Sequence, residues 1–409
     1  MKILILQAYY TPEIAASIYL TENIYESFAK SGFYVDLYVP FPTRGVSKRV
    51  REQYKNKKLE VLFDGKISIH RFSMIPEYKS SIFRTLRYVF CCLKYIYYGI
   101  KCKNVDIILI SSTPPIQGAM AVLLKMMIHK PVFYNLQDIF PDSFVGTSLT
   151  TKGSLLWKIG RKIENFTYHN VDRIIVISND FKRNIIAKGV PENKIDVVYN
   201  WVDEKAVVNI AREDNILYDK YNLSRDDFYI SYCGNIGLTQ NMDMLLRVAD
   251  DLKEIKDIHF VLIGNGVYRQ DVEKIISEKH ISNVSLIPFQ SYENISYVFS
   301  LGDIGLVISK SGVGNNSVPS KTWSIMSAER PVLANFDENE LKDIINQNNC
   351  GVFTKAGDVN SFKNAILYLY DNKNKRIEMG KNGRNFILNN LTKDIGTSKY
   401  VEIVKSFQN

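Results

Sequence analysis

Short, nearly uninterrupted apolar runs alternate with longer amphipathic stretches along most of the chain. Residues 2–8 (KILILQA), 34–40, 67–72, 106–111, 131–136 and 173–178 read as strands buried on both faces. Between them, residues 18–30, 80–101, 115–128, 152–169 and 179–188 carry helical spacing. A further strand-like run covers 195–202 (IDVVYNWV). The pattern weakens into a polar linker over 203–222. It resumes with strands at 228–233, 259–263, 284–288, 303–308, 331–335 and 351–354, again separated by helices. Strands alternating with helices of this length predict βαβ units, and therefore an α/β fold of two doubly wound, Rossmann-like parallel sheets facing each other. The predicted boundaries are 1–202, 203–390, and a final helix within 391–409 returning toward the first domain. Ligands on such sheets bind outside the carboxyl ends of the strands.

Charge is uneven along this frame. Residues 1–200 hold 28 Lys/Arg against 16 Asp/Glu, and residues 201–409 hold 24 against 27. A basic first half implies an anionic partner, with nucleic acid, an acidic membrane surface and a phosphorylated lipid all qualifying. The basic residues concentrate at Lys79–Lys103 (KSSIFRTLRYVFCCLKYIYYGIKCK), where Lys and Arg interleave with aromatic and aliphatic residues. Its apolar core is too short to span a bilayer, and a basic, aromatic amphipathic helix suits the surface of an anionic membrane. The five cysteines form no C-x-x-C pair, and an apolar strand begins directly after Met1. Reduced thiols in a cytoplasmic protein are expected. The five histidines lack metal-ligand spacing, so no metal is expected.

The candidate chemistry gathers at strand ends. In the second domain, 232–240 (YCGNIGLTQ) ends a strand in a turn built on Gly234, Asn235 and Gly237, with Gln240 just beyond. Gly264 and Gly266 form a second turn after the next strand. A third loop, 311–321 (SGVGNNSVPSK), carries Asn315 and Asn316 and opens a helix at Ser320 and Lys321. Glycines let the backbone approach a diphosphate, and a helix N-terminus presents unpaired N–H groups to an anion. Lys321 opposes the helix dipole there, which suggests an anion that offsets it. The three loops together predict one nucleotide-diphosphate pocket. There is neither a G-x-G-x-x-G nor a G-x-x-x-x-G-K-[ST] run, so an NAD site and a P-loop are disfavoured. In the first domain the polar strand-end residues are Glu13, Gln137, Asp138 and Asp142. Asp138 is expected to project into a cleft, where a carboxylate orients a hydroxyl or stabilises positive charge on a sugar ring.

These motifs resemble those of GT-B glycosyltransferases of the GT4 group along essentially the whole chain. The combination GNIG…VPSKTWS…RPVLA is similar to transferases of O-antigen and capsule assembly that add L-fucosamine-type sugars, such as N-acetyl-L-fucosamine. The resemblance implies a nucleoside-diphosphate sugar (a UDP-sugar first, a GDP-sugar as the alternative) held by the second domain and an acceptor held by the first. It implies retention at the anomeric carbon with no metal or other cofactor. The acceptor would be a polyprenyl-diphosphate-linked glycan at the inner membrane face, and no nucleic acid partner is expected.

Residue by residue, the resemblance assigns Gly234, Asn235, Gly237, Gly264 and Gly266 to the diphosphate turns and Phe289, within 288–290, to the base. Ser320 and Lys321 fall on the phosphate, while Glu13, Gln137 and Asp138 belong to the acceptor side. Three departures stand out. Asn316 and Ser324 occupy the positions of an E-x7-E pair that reads sugar and ribose in many members. Glu329 replaces a usual glycine, and Gln240 stands in place of a common basic residue. The ribose contact then falls to Glu338 or Glu340, with Lys321 carrying more of the diphosphate charge.

Asp138 and Lys321 are the catalytic candidates, Asp138 orienting the acceptor rather than deprotonating it. The rival readings are a non-catalytic scaffold of a polysaccharide assembly complex, and epimerisation or phosphorolysis on the same fold.

Overall fold

A computed structural model describes residues 1–13, 18–75, 81–143, 150–314 and 318–407. The chain divides into two compact units, Met1–Tyr199 with Gly396–Asn409, and Asn200–Ile395.

The first unit holds an eight-stranded sheet of β1 (Lys2–Leu6), β2 (Tyr34–Pro40), β3 (Leu59–Leu62), β4 (Ile67–Phe72), β5 (Ile107–Ser111), β6 (Val132–Leu136), β7 (Arg173–Val176) and β8 (Ile195–Val197). The spatial order is β3-β4-β2-β1-β5-β6-β7-β8. Every pairing is parallel except β3 with β4. Its helices include α1 (Ile18–Lys30), α2 (Lys48–Tyr54), α3 (Ser81–Lys101), α4 (Gln117–Ile128), α5 (Leu155–Asn170) and α6 (Asn179–Ala187). The apolar faces of α3 to α6 cover Leu4, Leu6, Ile108, Ile110 and Tyr134 on one side of the sheet. On the other side, the helix Lys393–Ser406 brings the Tyr400 hydroxyl to Asn135 Oδ1 at 3.2 Å and Phe407 against Phe133.

The second unit holds β9 (Phe228–Cys233), β10 (Ile258–Ile263), β11 (Val284–Ile287), β12 (Ile304–Ile308), β13 (Val332–Phe336) and β14 (Gly351–Lys355), ordered β11-β10-β9-β12-β13-β14. All of these pairings are parallel. The strands are nearly continuous apolar runs because helices cover both faces. In each sheet the strand order reverses at one strand, β1 in the first and β9 in the second, and such switch points are where doubly wound sheets bind ligands. The β9–β12 ladder runs only through Ile304–Ile230 and Gly305–Ser231, so the two strands part toward their carboxyl ends.

Three expectations change. The run 195–202 is a strand only over Ile195–Val197, and Trp201 beyond it is buried. The predicted helix at 152 begins at Leu155, because the Ser154 hydroxyl accepts a hydrogen bond from Trp157 N and caps the helix there. Residues 203–222 are not a loose linker. Val208 N and Ile210 N donate to the hydroxyls of Ser296 and Ser300, and the Ser327 hydroxyl donates to Val207 O. Leu217 and Tyr218 within this stretch are fully buried.

Candidate functional site

At the second switch point, β9 runs out into Gly234, whose φ of +137° few side chains adopt. A Cβ on Gly234 would lie 3.1 Å from Lys321 Nζ. The following turn interlocks with the one after β10. Gly234 N donates to Ile263 O, Ile236 N to Asn265 O, and Tyr268 N to Ile236 O. A Cβ on Gly264 would fall onto the carbonyl oxygen of Gly234, and one on Gly266 onto that of Ile236. Gly264 and Gly266 are therefore required first by backbone meeting backbone. Gln240 is used locally as well, its Oε1 accepting from Gly237 N at 3.1 Å. The Tyr232 hydroxyl donates to Asn235 O at 2.6 Å and pins the turn from below.

The loop after β12 is held by Asp337, whose two carboxylate oxygens accept from Gly312 N (2.9 Å) and Gly314 N (2.7 Å). Asn339 adds a bond to Gly314 O. Asn315 and Asn316 lie outside the described residues. The helix Lys321–Ser327 opens without a side-chain cap, the Ser320 hydroxyl making no capping bond. Lys321 sits in the gap where β9 and β12 part. Its Nζ lies 3.9 Å from the centroid of the Tyr232 ring, and burial pulls the ammonium down to about 8. Among the described residues no carboxylate pairs with it. A half-buried cation without a counter-ion is costly to desolvate, and an anion entering at the Gly234 turn would supply one.

Leu238, Val267 and Phe289, at the ends of three adjacent strands, are all exposed, Phe289 by 71 %. Their apolar surfaces suit a planar base. Ser324 lies one turn beyond Lys321 on the same helix, half-buried. Glu338 is exposed and pairs with Lys342, whereas Glu340 is buried in the first turn of the helix Glu340–Gln347. Glu329 adopts φ +56°, the left-handed conformation that explains the glycine usual at its position.

In the first unit, the loops after β1, β5 and β6 meet at that sheet's own switch point. Glu13 is fully engaged. One oxygen accepts from Thr43 N and Arg44 N and the other from Tyr10 N, so it ties two loops together and is not available to a ligand. Burial nevertheless raises its carboxyl above the usual range. Gln137 Nε2 donates to Asn135 Oδ1, and the Ser112 hydroxyl accepts from both Gln137 N and Asp138 N. Asp138 lines an apolar cavity of about 270 Å³ bounded by α3, the start of α4, and α5. The carboxylate is open to the cavity, but the walls carry few polar atoms, and desolvation pushes it up to about 6. Asp142 is committed to Lys188 Nζ at 2.8 Å and the Trp157 indole N–H, beside the buried Glu164–Tyr168 pair.

Within the second unit, Gly234, Asn235, Gly237, Gly264, Gly266, Gln240 and Lys321 thus come together around interlocked turns. Asp337, Tyr232, Leu238 and Val267 escaped the reading of the sequence. A strand-end carboxylate three residues beyond an apolar run is the only signal that could have marked Asp337.

The model of the glycosyl transferases group 1 matches residues 214–386, and that of glycosyltransferase family 4 matches residues 19–206. The chain is 28% identical over 211 residues to the putative colanic acid biosynthesis glycosyl transferase WcaI of Escherichia coli, covering 51% of each chain. It is 24% identical over 254 residues to the probable glycosyltransferase WbjE of Pseudomonas aeruginosa, covering 61% of this chain and 62% of the other. The matched segments thus span only about half to three-fifths of these relatives. Among solved structures, Anabaena Alr3699/HepE in complex with UDP superposes with a TM-score of 0.76 at 13% identity, over 99% of this chain and 100% of that one. With both units matched and the fold shared, the chain belongs to the group 1, family 4-like glycosyltransferases of GT-B architecture.

Proposed function

We propose that this protein transfers a sugar from a UDP-sugar to a polyprenyl-diphosphate-linked glycan in the assembly of a bacterial surface polysaccharide, with retention at the anomeric carbon. The sugar we favour is an N-acetylated deoxy sugar such as N-acetyl-L-fucosamine. The observation that carries the donor side is Lys321, a half-buried cation without a carboxylate partner among the described residues, beside the Gly234 turn. A diphosphate there would be neutralised by the ammonium and would receive N–H groups from the turn, stabilising charge as the leaving group departs. The bond from the anomeric carbon to the diphosphate oxygen breaks and a bond to the acceptor oxygen forms on the same face. The acceptor proton passes to the departing diphosphate. Asp138 then orients the acceptor hydroxyl, a role that needs no full proton transfer.

The similarity to the putative colanic acid biosynthesis glycosyl transferase WcaI supports the polysaccharide setting, and the UDP complex of the HepE structure supports the nucleotide. The acceptor's membrane setting is supported by α3, whose outward side exposes Phe83, Leu86, Phe90, Leu93, Tyr97 and Ile100. No helix among the described residues is long and apolar enough to cross a membrane. Surface association is therefore the mode proposed, at the cytoplasmic face, where the nucleotide sugar is available.

Calorimetry with UDP and GDP, followed by turnover with a panel of UDP- and GDP-sugars on a polyprenyl-linked acceptor, tests the reading. No binding of either nucleotide at millimolar concentration refutes it and favours the scaffold. That second reading draws on Asn316 and Ser324, which stand where carboxylates serve the donor in many members.

A further inference from the structure

The cavity beside Asp138 has an unusual mouth. Leu156 and Ile159 belong to its wall and also to the surface of α5, where they are 60 % and 48 % exposed. The cavity therefore opens on the outer side of the helical layer. That layer is apolar well beyond the mouth. On α3 the exposed residues Phe83, Leu86, Phe90, Leu93, Tyr97 and Ile100 recur at alternating spacings of three and four. The same helix already sends Cys91, Cys92 and Tyr95 into the core. A helix on a soluble surface needs one apolar side, and α3 has two. Met126 and Met127 of α4 and Leu155 of α5 extend the exposed set to neighbouring helices. Single exposed apolar residues are ordinary, whereas a contiguous field across three helices marks an interaction surface. Lys101, Lys158 and Lys162 are exposed on the same helices and suit anionic headgroups.

We propose that the cavity is the subsite for the lipid chain of the acceptor, and that the isoprene units nearest its diphosphate enter past Leu156 and Ile159 from the membrane. This rests on the polyprenyl-linked acceptor of the proposed function. Three observations favour a hydrocarbon chain over a polar occupant. The lining is overwhelmingly apolar, with Ile116, Leu136, Phe140 and Ile163 among its walls. Of its polar residues, Glu164 and Tyr168 already bond to each other, Glu164 also accepts from Lys188, and the Thr167 hydroxyl donates to Ile163 O. The mouth lies among exposed apolar side chains. Asp138 decides between the acceptor's own tail and bulk membrane lipid. It is the acceptor-side carboxylate and lines the same cavity, so a chain lodged there carries its glycan end to that residue.

Photolabelling of the full chain tests this directly. The probe is a diazirine-bearing geranylgeranyl diphosphate in phosphatidylglycerol vesicles, and labelled peptides are read by mass spectrometry. The expected label falls on residues 156–168 and on Tyr88. Excess undecaprenyl phosphate suppresses it at least fivefold, whereas the same excess of phosphatidylglycerol does not. Filling the cavity by Ile163→Trp, or narrowing its mouth by Leu156→Trp if the first variant folds poorly, lowers labelling by roughly tenfold, the scale set by burying a few methylenes. UDP binding stays unchanged in both variants, and vesicle co-sedimentation stays unchanged in Ile163→Trp, whose side chain lies inside the cavity. Label outside these segments, equal suppression by the acyl lipid, or wild-type labelling in both variants overturns the proposal. Because labelling needs no nucleotide, a protein that binds UDP but fails here loses only this subsite. One that labels here but binds no nucleotide loses the transferase reading instead.

Discussion

Replacing Lys321 by Met removes the ammonium and keeps most of its stem, and the two consequences run in opposite directions. With its pKa near 8 instead of 10.5, the charged lysine costs the folded state about 3 kcal/mol at pH 7. The contact over Tyr232 returns ~1 kcal/mol, leaving a net penalty of about 2 kcal/mol. For a unit of this size that is a rise of about 4–8 °C in the Tm of unliganded Lys321→Met. Nucleotide binding moves the other way. Losing a charge-assisted contact to phosphate, worth about 1.5–3 kcal/mol, weakens UDP by roughly 10- to 150-fold.

The pH dependence follows from the depressed pKa. Between pH 8 and 10.5 the unfolded lysine holds its proton while the folded one has lost it, so stability rises with pH through that window. The Tm advantage of the Met variant is therefore full below pH 8 and shrinks toward pH 10.5. Wild-type UDP affinity falls as pH rises above 8, because binding must then take up a proton. Scanning calorimetry and titration calorimetry with UDP at pH 7, 8.5 and 10 read both effects. A Met variant that is less stable and binds UDP like the wild type would refute the assignment and make Lys321 a packing residue.

Asp138→Asn should lower turnover by at least tenfold with UDP affinity unchanged, and should stabilise the protein at pH 7. Its carboxyl titrates near 6 in the fold against 3.8 in the unfolded chain, so folding takes up a proton and stability falls as pH rises across that interval. Glu329→Gly relieves a left-handed non-glycine residue and should raise stability by about 1 kcal/mol at unchanged turnover, measured by urea unfolding. Gly264→Ala has no room against the Gly234 carbonyl and should destabilise the second unit by more than ~3 kcal/mol, with UDP binding lost in calorimetry. Co-sedimentation with anionic vesicles should weaken as salt is raised, since exposed lysines are screened within about 10 Å at 0.1 M; salt-independent binding would contradict the membrane reading.

Much of the fold is legible because buried parallel strands announce themselves as apolar runs, as β1, β9 and β12 do. The edge strand β3 is missed because LEVL is largely exposed and pairs antiparallel on one side only. The stretch 203–222 reads as a linker because serine hydroxyls about ninety or more residues away satisfy its backbone. The glycine turns at Gly234 and Gly264 are visible as motifs, but their interlocking is not, since it depends on β9 and β10 being neighbours. Glu13 shows the reverse error. A strand-end carboxylate looks available for a substrate until Thr43 and Arg44 close on it. For Lys321 the sequence shows a cation, whereas its want of a carboxylate partner among the described residues is a property of what is packed around it.

The interlocked turns bear on how such a protein changes its substrate over generations. Where one loop's carbonyls fill the space a neighbouring Cβ would need, mutation has almost no latitude. The framework around Gly234, Gly264 and Gly266 is in effect frozen. Variation is free only in the side chains standing around that framework, Leu238, Val267 and Phe289, which touch little and can be exchanged without refolding anything. A new preference at the proposed donor site would accordingly be acquired at these rim positions. Libraries built to redirect the donor should randomise them and leave the glycines alone.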